Sequence, residues 1–123
     1  MQLNLERPDY TWYLRGADAD HALVNERVLR ASFVISPESL VEAWPVTDPA
    51  ALDPALVDPI LALRPELVLL GTGARQVFPS PAVLAAFLTR GIGVEVMTNA
   101  AAARTYSVLA GEGRRVAAGF VIG

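Results

Sequence analysis

Leu67-Val-Leu-Leu-Gly-Thr-Gly73 opens with a continuous apolar run, Leu67 to Leu70, and closes on a threonine between two glycines. Four apolar residues in a row, with no polar alternation, suit a strand covered on both faces, as in a parallel sheet packed between helices. Downstream, Ser80 and Pro81 open a helix. Val83, Leu84, Phe87 and Leu88 give that helix an apolar stripe, and Gly91 stops it. Val94-Glu-Val-Met97 follows as a second short strand. Strand, helix and strand in this order predict a right-handed crossover and parallel pairing. Asn99 is then placed to cap a helix from Ala100 to Ala110, with Ala102, Thr105, Tyr106 and Leu109 on one face. Arg115 to Ile122 is a last apolar strand, which ties the C-terminus into the sheet.

Upstream of this run the chain reads as β structure. Tyr10-Thr-Trp-Tyr-Leu14 is aromatic and β-branched, closed by Gly16 and the polar turn Asp18-Ala-Asp20-His21. From Val28 to Ile35 the residues Leu29, Ala31, Phe33 and Ile35 alternate with Arg30 and Ser32, which predicts one half-buried strand. Trp44-Pro45-Val46 is a short extended piece, because a residue before proline is pushed out of the helical region. Three Asp-Pro pairs follow at five-residue spacing, Asp48-Pro49, Asp53-Pro54 and Asp58-Pro59, each able to cap a turn. Proline inside a helix costs about 3 kcal/mol, so a short turn is expected after Asp53 and the main helix from Pro59 to Arg64, with no unbroken helix through Pro59. The whole predicts an α/β fold: a single compact three-layer domain over residues 1–123, a mixed central β-sheet flanked by helices, and a β-rich N-terminal third.

Composition removes most chemistries. The chain has 123 residues, 53% hydrophobic and 19% charged, which is the size of one domain with an ordinary core. There is no Cys, so thiolate catalysis, disulfides and Cys-ligated zinc or iron–sulfur sites are excluded. All ten basic residues are Arg, which removes the Schiff-base and P-loop lysines, and His21 is the one imidazole. A net charge of −3, with Arg114-Arg115 as the longest basic cluster, argues against a nucleic-acid binder. Met1 to Tyr10 carries no apolar block of the kind a signal peptide needs. Mean hydropathy is +0.37, yet no stretch approaches the ~18 apolar residues of a spanning helix. The expectation is a soluble, cytoplasmic protein with no metal and no cofactor.

Three spots could carry chemistry. Gly71-Thr72-Gly73 ends a buried strand, where an α/β fold offers backbone N–H groups to an anion, and Arg75 beside it could hold a carboxylate or phosphate. The same pattern is also that of a tight turn using glycine for positive φ, and the third glycine of a dinucleotide fingerprint is replaced by Gln76. Glu95 stands inside an apolar strand. If that strand is central, Glu95 needs Arg75, Arg104 or Arg114 as a partner, or a raised pKa suited to a general acid; nearer an edge it is solvated. Asp18, Asp20 and His21 read as a solvated turn, since the other oxygen ligands and the glycine of a calcium loop are missing. No Gly-x-Ser-x-Gly elbow exists for a hydrolase using His21.

The segments Leu69-Leu-Gly-Thr-Gly73, Gly91-Ile-Gly-Val-Glu-Val-Met97, Ala103-Arg-Thr-Tyr-Ser-Val-Leu109 and Glu112-Gly-Arg-Arg-Val-Ala117 together resemble a small uncharacterised bacterial and archaeal family. That family includes the mitochondrial complex I (NADH:ubiquinone oxidoreductase) assembly factor 3. Thr98-Asn99 stands where members often have Asp-Thr, Ala103 where many have Cys, and Ser107 where Asn is usual. The resemblance implies a three-layer α/β domain, no established enzyme activity, and a role in assembly or scaffolding alongside protein partners such as respiratory-complex subunits or another assembly factor. It marks Gly71, Thr72, Gly73, Glu95, Thr105, Tyr106, Glu112, Gly113 and Arg114 as pattern positions. On that basis Gly113 would serve the turn into the last strand, and Arg114 would pair Glu95 or Glu112. The alternative is a small-molecule or anion-binding protein using Gly71, Thr72, Gly73, Arg75, Glu95 and Arg114 around one turn. The apolar surplus is compatible with a homodimer face under either reading.

Overall fold

A computed structural model describes residues 8–123; the Met1–Arg7 part of the stretch read for targeting signals lies outside the described residues. Among the described residues eight strands form two sheets. The first three, β1 (Leu14–Ala17), β2 (Ala22–Val24) and β3 (Arg27–Leu29), make an antiparallel meander. The other five are β4 (Phe33–Ile35), β5 (Leu40–Val41), β6 (Leu67–Gly71), β7 (Gly93–Met97) and β8 (Val116–Phe120), in the order β5-β4-β8-β6-β7. This sheet is mixed. β6 runs parallel to both β7 and β8, with Leu67 opposite Gly93 and Val116, while β4 is antiparallel to β8.

The parallel pairing and the crossover helix α2 (Pro81–Leu88) appear as the sequence predicts. Alternation along the strands then sorts side chains into two cores. Leu69, Val116, Ala118 and Phe120 face one side, with Ala102, Ala103 and Tyr106 of helix α3 (Asn99–Gly111) and the small sheet over them. Val68, Leu70 and Ala117 face the other, under Val83 and Phe87 of α2 and Ile60 of the short helix α1 (Asp58–Leu61). This is a three-layer α/β architecture. Every residue of β8, and every residue of β6 but Leu67, is thus buried from one side or the other, which is why β6 shows no polar position.

Four expectations about element boundaries are corrected. The Val28–Ile35 strand is two strands in different sheets, β3 and β4. Between them Ser32, 2% exposed, is pinned by its hydroxyl to the carbonyl of Val46 and to the backbone N–H of Ile122, so the chain crosses layers there. The aromatic Tyr10–Tyr13 stretch precedes β1 rather than forming it, and Gly16 lies within β1 at a register irregularity instead of closing it. Thr11 and Trp12 both donate backbone N–H bonds to the Pro37 carbonyl, at 3.1 Å.

The main helix over Pro59–Arg64 is shorter and earlier. A 3-10 turn over Pro54–Val57, capped by Asp53, runs straight into α1 and through Pro59. That passage is tolerated because Pro59 falls in the first turn of α1, where an N–H would have no helical acceptor. Arg64 has left the helix at φ 53°. Lastly, Thr98 rather than Asn99 is the N-cap of α3, its Oγ1 accepting from the N–H of Ala101 at 3.3 Å.

Candidate functional site

Freed from capping, Asn99 is fully buried at the junction of three chain segments. Its Oδ1 accepts the Gly73 N–H at 3.0 Å, and its Nδ2 donates to the carbonyls of Asp18 at 2.9 Å and Val121 at 3.0 Å. Its own backbone N–H donates to the Gly73 carbonyl at 2.9 Å. One carboxamide therefore joins the end of β6, the residue after β8 and the β1–β2 turn, using both of its N–H donors. Thr72 is committed in the same way. Its hydroxyl donates to the Arg75 carbonyl at 2.6 Å and accepts from the Val77 N–H at 3.0 Å.

These bonds bear on the two readings of Gly71-Thr72-Gly73. Gly73 does adopt positive φ, at 97°, as a tight turn requires. Its N–H is spent on Asn99 and does not point to a ligand. A cleft of about 300 Å³ does open beside Gly73 and Ala74, but Asp18 and Asp20 line it. Asn99 is the residue that the sequence missed: an asparagine after a strand reads as a cap, and nothing local shows that three distant segments converge on it.

The remaining candidates are dispersed. Arg75 is exposed. Glu95 is exposed as well, because β7 is the edge of the sheet, so the edge alternative holds and the buried-acid and ion-pair alternatives do not. Arg114 stands before β8, at the end of the parallel strands opposite to the Gly71 turn. The four steps from Val116 to Phe120, the partner of Gly71, at about 3.3 Å each already separate the two ends by roughly 13 Å. One shared site around the turn is therefore not formed. Nor does Arg114 pair Glu95 or Glu112: its Nε lies 3.1 Å from Oε1 of Glu66, which also accepts the Arg115 N–H at 3.3 Å. The Arg114 hydrogen bond is the main reason that the Glu66 carboxyl is held below its usual value.

Of the other pattern positions, Thr105 bonds the Ala101 carbonyl within α3 at 2.9 Å. Tyr106 is fully buried and donates its hydroxyl to the Trp12 carbonyl at 2.8 Å. Burial pushes its phenol far above the ordinary tyrosine value. Glu112 is exposed at the C-cap of α3, and Gly113 forms the turn into β8. Asp18, Asp20 and His21 place their ligand atoms within 4.8 Å of one another on the β1–β2 turn, where His21 Nδ1 lies 2.7 Å from Asp20 and 3.1 Å from Asp18. Asp18 also accepts the backbone N–H groups of Asp20 and His21, the geometry of an ordinary exposed turn.

Fold and site define a mixed-sheet α/β domain whose strand-end turn is closed by a buried asparagine. The chain belongs to a family described as protein of unknown function (DUF498/DUF598), whose profile matches residues 14–121. Among solved structures it is similar to an NMR structure of a Xanthomonas campestris protein, 62% identical over 100% of this chain and 93% of the other, with a TM-score of 0.84. It is also similar to a Bordetella pertussis protein solved by NMR and described as a Mth938-like domain: 28% identical, covering 98% of this chain and 92% of that one, TM-score 0.83. A curated relative, the "13 kDa major membrane protein" of Francisella tularensis, is 32% identical over 71 residues. That match spans 58% of each chain. Among the described residues no helix is long and apolar enough to cross a membrane.

Proposed function

We infer that the protein is a non-catalytic protein-interaction module. The observation that carries this reading is the closure of the Gly71 turn: the Gly73 N–H and the Thr72 hydroxyl, the groups best placed to meet a ligand at the strand ends, are hydrogen-bonded inside the fold. The surface offers apolar side chains instead. Phe78, Leu88 and Val108 are 63%, 59% and 59% exposed. Burying such side chains against a partner takes apolar surface out of water, which favours association. Respiratory-complex subunits, or a second assembly factor acting from the cytoplasmic side, are the partners implied by the resemblance to complex I assembly factor 3. The naming of the Francisella relative as a membrane protein is in keeping with a membrane-bound partner.

The test is a tagged pull-down at native expression level, comparing wild type with Phe78→Ser and Leu88→Ser. Recovery of identified respiratory-complex subunits by the wild type, reduced in either variant, is the expected result. A specific yield of nothing from that complex sinks the assembly role. The second reading, a small-molecule or anion site at Gly71-Thr72-Gly73, is favoured only by the cleft of about 300 Å³ beside Gly73, and its acidic lining disfavours an anion.

A further inference from the structure

A cleft of about 570 Å³ lies at the opposite end of the sheet from the Gly71 turn. Its origin is a proline. β4 and β8 pair as far as Ile35 opposite Ala118. Continuing that register would set Val116 against Pro37, which has no N–H to give and whose carbonyl is taken by the N–H groups of Thr11 and Trp12. The two strands part there, leaving Val116 and Ala117 as a floor between two walls.

The walls carry opposite charge. One comes from the 9–11 segment, fastened to the 36–39 turn by the two N–H bonds to the Pro37 carbonyl, and it brings Asp9 and Glu38. The other comes from the α3–β8 turn, fastened to β6 through Glu66, and it brings Arg114 and Arg115. Among the described residues no ion pair joins the walls, and Arg114 gives Glu66 only its Nε. Leu63 and Pro65 supply an apolar side. A volume of this size falls in the range of small-molecule sites, which combine apolar lining with a few placed polar groups.

The geometry points to this cleft as a binding site for a zwitterion of dipeptide size. The ammonium group would sit against Asp9 and Glu38, the carboxylate against Arg115 and the free arm of Arg114, and an apolar side chain against Leu63 and Pro65. Guanidinium favours a carboxylate through paired N–H donors, and a ligand carrying both charges meets both walls where a simple anion meets one favourably and one unfavourably. Tyr10 on the acidic wall keeps its proton, since burial and the Asp9 carboxylate push its phenol above the ordinary value, and it is available as a donor. This site is independent of the interaction reading above.

The test is amide-resolved NMR titration of the full chain with the dipeptide alanyl-leucine, its N-acetyl form and its C-terminal amide. Expected are saturable shifts around residues 36–39 and 110–117 with the free dipeptide, and binding weaker by about tenfold for either blocked form. Arg115→Gln weakens the free and acetylated peptides but leaves the amide unchanged. Glu38→Gln weakens the free peptide but leaves the acetylated one unchanged. Both residues are exposed, so both variants keep the native spectrum, and the blocked ligands test the idea on the wild type alone. Absence of saturable shifts at about 10 mM overturns the site. Equal binding of a blocked form overturns its zwitterion selectivity.

Discussion

A methyl group on Gly71 would lie 2.5 Å from Oδ1 of Asn99, closer than real side chains come, because that oxygen is held in place by the Gly73 N–H. The absence of a side chain at Gly71 is what lets the buried carboxamide reach the strand ends. Gly71→Ala should therefore cost about 1–3 kcal/mol. Asn99→Ala leaves the Gly73 N–H and the Asp18 and Val121 carbonyls without their partner, a loss on the order of 3 kcal/mol. In urea denaturation the double variant should be more stable than the sum of the two single losses predicts, by on the order of 1 kcal/mol, since removing Asn99 also removes the clash. Strict additivity would show that the two residues do not act through this contact.

Tyr106 ties α3 to the segment before β1. Tyr106→Phe keeps the ring in its core and removes the bond to the Trp12 carbonyl, so a stability loss of roughly 1 kcal/mol is expected, with no change in fold. In an ultraviolet absorbance titration of the wild type, the Tyr106 phenol should stay protonated through the alkaline range until the protein unfolds. Ionisation of all three tyrosines from the native state would contradict its burial.

Glu66 gives a dependence on acid. Its folded pKa lies below the usual 4.5, with the Arg114 hydrogen bond as the largest cause and the Arg115 N–H bond next. The corresponding stabilisation is fully present above the unfolded value and disappears as the pH falls through the depressed folded value. The difference in denaturation midpoint between wild type and Glu66→Gln should thus be greatest near neutral pH and vanish in strong acid. A difference that grows on acidification would contradict the sign.

Phe33 and Phe120 stack across the β4–β8 pair with centroids 5.0 Å apart and planes 12° from parallel, and both are fully buried. Phe120→Ala should cost roughly 3–5 kcal/mol through the cavity it leaves. Val108→Ala, at an exposed position on the outer side of α3, should change stability by less than about 0.5 kcal/mol in the same denaturation experiment.

The β6–α2–β7–α3–β8 half was legible because each element carries its own period, cap or glycine stop. Glu66–Gly73 reads as a doubly covered strand from its four apolar residues alone, and Ser80-Pro81 marks a helix start without reference to anything distant. The N-terminal third was less legible for a physical reason. Leu29 and Phe33 have the alternation of one strand, but whether they share a sheet depends on Ser32, whose hydroxyl partners are Val46 and Ile122. The candidate site was legible only as a list. Gly71 and Gly73 were visible as a turn, but the Asn99 contact that closes it spans 26 residues and the one to Asp18 spans 81.

By itself the sequence determined the chemistry the protein lacks, the parallel α/β core and its crossover, since residue inventory and hydrophobic period are local properties of the chain. The tertiary structure decided where the polar groups go. It put Glu95 on an edge and Arg114 on Glu66, turned Asn99 from a cap into a buried junction, and opened a charge-divided cleft at Pro37. Each of these depends on which strands become neighbours, and strand order is set by packing among distant segments rather than by any one of them.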